Sequence, residues 1–147
     1  MAYLTVFTAT YNRAHTLGRT YKSLCDQKCK DFIWLIVDDG STDETASLVK
    51  EWQKKENGFE IQYIYKKNGG MHTAHNVAYE NIHTELNVCI DSDDKMSSGA
   101  VAKIKSTWEQ IKDKNYAGII ALDSDFEGNI IGTEFQEGVT ETTLGDY

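Results

Sequence analysis

Four short apolar runs recur along this chain, and each is followed by a polar break and then by a stretch with helical period. The runs are Tyr3–Thr10, Phe32–Val37, Glu60–Lys66 and Leu86–Ile90. After the first, Leu17, Tyr21, Leu24 and Cys25 fall on one helical face. After the second come Thr45, Leu48, Val49 and Trp52; after the third come Met71, Ala74, Ala78 and Ile82. After the fourth, Val101, Ile104, Trp108 and Ile111 have the same spacing. Strand followed by helix, four times over, predicts an α/β fold: three layers, α/β/α, around a mostly parallel central sheet. The apolar runs Phe32–Val37 and Leu86–Ile90 read as strands buried in that sheet.

Helix starts are predicted near Thr16, Ser41, Met71 and Ser98. Ser41 and Glu44 have the spacing of a capping box. Asn57-Gly58 closes the second helix, with glycine where a left-handed residue is wanted. Residues 116–122 read as a fifth strand, and residues 125–133 as a hairpin turning at Glu127-Gly128-Asn129. From Gln136 to Tyr147 no firm pattern is visible.

In parallel sheets ligands bind outside the carboxyl ends of the strands. The unusual segments of this chain all fall there: Thr10-Tyr11-Asn12-Arg13, Asp38-Asp39-Gly40-Ser41, Asn68-Gly69-Gly70 and Asp91-Ser92-Asp93-Asp94. Together they describe one cleft. Like charges as close as Asp91, Asp93 and Asp94 repel, and a hard divalent cation held by oxygen ligands relieves that repulsion. Mg²⁺ or Mn²⁺, keeping part of its shell for phosphate oxygens, fits such a site; acids after a strand also commonly cap the next helix. In an extended segment Asp91 and Asp93 would point together and Asp94 away. Asp39 could accept a hydrogen bond from the ring N–H of a uracil, or could cap the second helix with Asp38. Tyr11 offers a flat face to a base, and Arg13 a fork to phosphate. Thr10 and Asn12 could bond a base or ribose, or only tie their loop.

Composition removes other readings. At 147 residues the chain has one domain's length, and its formal net charge of −8 argues against a nucleic-acid or anionic membrane surface. No apolar run approaches the roughly 20 residues that cross a bilayer. Cys25, Cys29 and Cys89 lack zinc spacing and read as reduced thiols of a cytoplasmic protein. His72 and His75 share a helical face, but no third zinc ligand lies near them in sequence. No G-x-G-x-x-G follows the first strand and no phosphate-loop motif occurs anywhere, so the usual dinucleotide and phosphate-loop readings lose support.

Taken as a set, Ala-Thr-Tyr-Asn-Arg, Val-Asp-Asp-Gly-Ser-Thr-Asp, Asn-Gly-Gly with Ala-His-Asn, and Asp-Ser-Asp-Asp resemble the family 2 glycosyltransferases of GT-A fold, in order and spacing, over about residues 3–125. The resemblance implies a nucleotide-diphosphate sugar donor, often UDP-linked, and a divalent metal, Mn²⁺ or Mg²⁺, on the diphosphate. By matching position, Thr10, Tyr11 and Asp39 would hold the base, Asp91 would face ribose or metal, and Asp93 would bind the metal. Arg13, Asn68 and Gly69 would border nucleotide and phosphates. His75 stands where many members carry arginine, and Ala9 where many carry proline.

The resemblance further implies a donor-binding domain at 1–125, with 126–147 the hairpin and the start of an acceptor-side region. That region, with the catalytic base, is expected beyond residue 147. The implied reaction is inverting transfer to the hydroxyl of a saccharide or lipid-linked saccharide, at the inner face of the membrane or in the cytoplasm. The alternative is a non-catalytic nucleotide-sugar-binding module.

Overall fold

The computed structural model describes residues 2–133, 137–138 and 141–142. Its main sheet has four parallel strands in the order β3-β2-β1-β4: β1 Leu4–Thr10, β2 Phe32–Asp38, β3 Glu60–Tyr65 and β4 Leu86–Cys89. The helices are α1 Ala14–Cys25, α2 Thr45–Gln53, α3 Met71–Asn81 and α4 Ala100–Ile111. The register Leu4↔Phe32 puts Leu4, Val6, Phe32, Trp34 and Ile36 on one face, because alternate residues of a strand point the same way.

That face packs against Leu17 and Leu24 of α1, Val49 and Trp52 of α2, and Val101 of α4. The opposite face, with Phe7, Leu35 and Val37, packs against Ala74 and Ala78 of α3. Small residues on α3 let that helix lie close to the sheet. The result is the three-layer α/β/α arrangement, with α1, α2 and α4 on one face and α3 on the other. Trp34 is fully buried and still satisfied, its indole N–H donating to Thr8 Oγ1 at 3.0 Å.

Several expectations need correction. No capping box forms at Ser41; α2 begins at Thr45, and Asp43 takes the Thr45 N–H at 3.0 Å and hydroxyl at 2.6 Å instead. Ser41 is drawn away by two other bonds: its Oγ accepts the Asn12 N–H, and its own N–H goes to Asp38 Oδ1. Met71 is exposed rather than inward. β4 alternates half-buried Leu86 and Val88 with exposed Asn87 and Cys89, so it is not covered on both faces.

The chain divides into two units after Tyr116. Residues 116–122 form no strand among the described residues; residues 117–121 are exposed and have no neighbouring strand to take their backbone groups. The hairpin is present, β5 Asp123–Ser124 pairing antiparallel with β6 Ile130–Ile131 through a turn with Gly128 at φ +96°. Residues 134–136, 139–140 and 143–147 of the predicted C-terminal region lie outside the described residues. Among the described residues no helix is long and apolar enough to cross a membrane.

Candidate nucleotide and metal cleft

The last residues of β2 supply two buried carboxylates with different partners. Asp38 is fully buried and accepts the Tyr63 hydroxyl at 2.5 Å and the Ser41 N–H at 2.8 Å. Burial pushes the Tyr63 hydroxyl well above its ordinary pKa, and the Asp38 bond adds to it. Asp39, next in line, points to the opposite side. Its Oδ1 accepts from Lys66 Nζ and from the Gly69 N–H at 3.0 Å; its Oδ2 accepts the Gly70 N–H at 2.7 Å. Burial alone would raise the Asp39 pKa, but the Lys66 ion pair and the two glycine amides outweigh it and hold it below the usual carboxylate value. Neither aspartate caps α2.

Lys66 also donates to Lys67 O at 2.8 Å and to Thr73 Oγ1 at 2.7 Å, so it joins the end of β3, the glycine turn and α3. Sequence reading passed over this lysine. Its one signal was position, at a strand's carboxyl end beside Asn68-Gly69-Gly70. The glycines are needed where they stand. Gly40 has φ +87°, and a Cβ there would lie 2.7 Å from the Asn68 amide nitrogen; Gly70 has φ +94° at the start of α3. Asn68 fastens the turn from the other side, donating to Asp39 O at 2.9 Å.

The loop after β1 is tied to the loop after β2 by Asn12. Its backbone is left-handed, φ +53°, and its Oδ1 accepts the Thr42 N–H at 2.8 Å. Asn12 therefore ties the loop rather than facing a ligand. Asp43 completes the tie by accepting the Ala14 N–H at 3.0 Å. Tyr11 is 48% exposed, free to offer its ring. Thr10 is 3% exposed, and its Oγ1 is buried with no protein partner.

After β4 the chain does not stay extended. The Asp94 N–H bonds back to Asp91 O at 3.1 Å, a tight turn. The turn corrects the extended-chain expectation: Asp94 joins Asp91 and Asp93, and one oxygen of each of the three lies within 4.8 Å of the others. Arg13 Nη1 stands 3.9 Å from Asp93 Oδ2, an exposed pair of little weight for stability. Converging carboxylate oxygens are the donor set of a hard divalent cation, so these residues fit Mg²⁺ or Mn²⁺ better than a softer ion.

The four segments meet at one open cleft of about 390 Å³ at the carboxyl ends of the strands. Thr10, Tyr11, Arg13, Asp39, Asn68, Asp91 and Asp93 line it, as does Ser92 between the acids. Gly69 does not; its N–H is turned to Asp39, and Gly70 takes its place on the wall. On the opposite wall stand Met71 and Ala74 of α3. His75 lies off the cleft, edge-on to Phe7 at 5.4 Å, with Nε2 buried and unpartnered.

A family model described as glycosyl transferase family 2 matches residues 5–142. The chain is 32% identical over 119 residues to a teichoic acid poly(glycerol phosphate) polymerase of Staphylococcus epidermidis, covering 80% of this chain and 16% of that protein. It is 31% identical over 121 residues to the GalNAc(5)-diNAcBac-PP-undecaprenol beta-1,3-glucosyltransferase of Campylobacter jejuni, covering 81% of this chain and 37% of that protein. Residues 1–349 of S. aureus TarS, solved in complex with UDP-GlcNAc, share the fold: TM-score 0.69 at 24% identity, over 75% of this chain and 32% of that one. The chain thus spans well under half the length of these proteins.

Proposed function

The chain belongs to glycosyl transferase family 2, and on that premise we propose that it binds the donor in sugar transfer from a nucleoside-diphosphate sugar, UDP-linked, to an acceptor hydroxyl. The observation that carries this reading is the cleft itself: a buried, charged Asp39, the exposed ring of Tyr11, and Asp91 and Asp93, two of three converging carboxylates, all line it. The donor part is the unit that ends at Tyr116, which carries every residue lining the cleft. The acceptor is a saccharide or a lipid-linked saccharide, a reading supported by the undecaprenol-linked substrate in the name of the Campylobacter relative.

The roles follow from chemistry. Asp39 Oδ2 spends one of its lone pairs on Gly70 and keeps another for the ring N–H of a uracil. Thr10 Oγ1, buried and unpartnered, gains from the same base a hydrogen bond that it otherwise lacks. Tyr11 stacks on the base. Asp91, Asp93 and Asp94 hold the divalent cation, and Arg13 beside Asp93 reaches the phosphates. A bound Mg²⁺ or Mn²⁺ would supply charge stabilisation to the departing diphosphate. Inverting transfer also needs a base for the acceptor proton. The acids named here have other roles, Asp39 with Lys66 and the Asp91 group with the cation, so none of them is assigned as that base.

Thermal melting with UDP, GDP, dTDP and CMP, each with and without Mn²⁺, tests the reading. A ligand at 100 times its Kd adds about 2.7 kcal/mol, roughly 5–10 °C for a chain of this size. UDP with Mn²⁺ is expected to give such a shift. No shift with any nucleotide would sink the donor-site reading, and a UDP shift indifferent to Mn²⁺ would favour a non-catalytic nucleotide-sugar-binding module.

Thr10→Val gives a sharper check, because valine keeps the shape and removes only an unsatisfied hydroxyl. The free chain is expected to melt at the same temperature or higher, since a buried unmade hydrogen bond costs about 1–3 kcal/mol. UDP affinity, measured by calorimetry, should nonetheless fall by roughly 2–10-fold, the worth of one net hydrogen bond. A variant that loses stability and keeps its affinity would show that Thr10 packs and does not bind.

A further inference from the structure

We propose that a buried polar set on α1 and just past its end, led by Thr20, is the positioning device that makes the three carboxylates converge. Thr20 and Ser23, about one turn apart on α1, and Gln27, just past the end of that helix, are 0%, 8% and 3% exposed. Polar groups buried that deeply must find partners, and here they find them in the backbone of the segment after β4. Thr20 Oγ1 donates to Asp94 O at 2.8 Å, with Asp91 O 3.4 Å away. Ser23 Oγ accepts the Met96 N–H at 3.0 Å. Gln27 is used at both ends: Nε2 donates to Ser97 O at 2.7 Å, and Oε1 accepts the Val101 N–H at 3.2 Å.

The consequence is a fixed turn. Arg19 Nη1 donates to Asp93 O at 3.0 Å, so α1 holds the carbonyl oxygens of Asp93 and Asp94, while that of Asp91 takes the Asp94 N–H within the turn. With those carbonyls held on α1, the turn presents the carboxylates of Asp91 and Asp93 to the cleft. Three like charges would otherwise spread the loop apart. An independent sign that the cleft takes a polar ligand is Thr10, nearly fully buried on its wall with an unpartnered hydroxyl. The inference rests on the metal reading proposed above and adds to it the residues that preorganise the site. They touch neither metal nor nucleotide, and act through the turn.

The test is Mn²⁺ affinity, followed by loss of the free-ion paramagnetic signal, beside UDP affinity by calorimetry in Mn²⁺ and in EDTA. Thr20→Val keeps the volume and removes the hydroxyl; Thr20→Ser keeps the hydroxyl. Partners that orient a metal site commonly contribute 10–100-fold to affinity, so Thr20→Val should bind Mn²⁺ about 10-fold more weakly or worse, with Thr20→Ser and UDP affinity in EDTA within about twofold of the parent. A folded Thr20→Val with parental Mn²⁺ affinity overturns the proposal. So does an equal loss of UDP affinity with and without metal, which would mean a general loosening of the cleft. Should Thr20→Val fail to fold, Ser23→Ala, which releases the Met96 N–H and gives up the hydroxyl's own bond to Thr20 O, decides by the same comparison. A parent chain that takes up no Mn²⁺ refutes the metal reading itself and with it this one, an outcome distinct from a parent that responds and a variant that does so equally.

Discussion

Asp39→Ala is expected to destabilise the chain by about 3 kcal/mol, roughly a 10 °C fall in melting temperature, and to abolish measurable UDP binding. The stability loss comes from what is left behind. Lys66 keeps its charge at a site where its side chain is only 19% exposed, and the amides of Gly69 and Gly70 lose their acceptor. The binding loss has two sources: the base loses its acceptor, and the glycine turn that borders the cleft loses its anchor. Lys66→Met separates these. It should cost less than Asp39→Ala, because Asp39 retains both glycine amides. In the double variant the unpaired charge is gone, so part of the stability should return while binding does not. An Asp39→Ala chain that melts within a degree or two of the parent and still binds UDP would refute this account.

The same group predicts a pH signature. The folded pKa of Asp39 lies below the ordinary 3.8, so its contribution to stability is complete above that value and is lost as pH falls through the lower folded value. Between pH 7 and 5 the melting temperature should not respond to Asp39. Below about pH 4 the parent should lose stability more steeply than Asp39→Asn, which has no proton to take up there. Asp43, also held low against the pull of its burial by Thr45 and the Ala14 amide, adds to the same acid limb in both proteins.

The fold was legible because its signals are local. The period of Leu17, Tyr21 and Leu24, or of Thr45, Val49 and Trp52, needs nothing beyond about two turns of chain to be read. The cleft was legible for a different reason: four polar breaks at four strand ends have to meet once the sheet is parallel. What stayed hidden was decided at long range. Ser41 and Glu44 have capping-box spacing, but Asn12 and Asp38 compete for Ser41 and win. Lys66 reaches back 27 residues to Asp39, and Thr20 reaches forward 74 residues to Asp94. Thr20, Ser23 and Gln27 are polar and give no apolar signal, so their burial shows only once the segment after β4 is laid against them. The predicted strand at 116–122 failed for the complementary reason, since a strand is specified by its neighbour as much as by its own residues.

Asp93→Asn should move the free chain and the liganded chain in opposite directions. Without metal, three carboxylates within 4.8 Å repel one another, and neutralising one relieves the turn of part of that charge. The change also removes the Arg13 partner, but that pair is about half exposed on each side and contributes little. The free variant should therefore melt at the parental temperature or slightly above. With Mn²⁺ and UDP the order reverses. The parent gains the roughly 5–10 °C expected at 100 times Kd, and the variant, short of one charged oxygen donor, gains a small fraction of it. A merely structural acid would behave otherwise: its loss would lower the free chain's melting point and leave the ligand-induced shift intact. UDP affinity in EDTA supplies the control, because the base end of the cleft, built on Asp39 and Thr10, does not depend on Asp93 and should hold UDP equally weakly in both proteins. If Asp93→Asn keeps the full Mn²⁺-dependent shift, the convergence of carboxylates after β4 is a loop feature without a cation, and the charge stabilisation assigned to that corner of the cleft has to come from Arg13 instead.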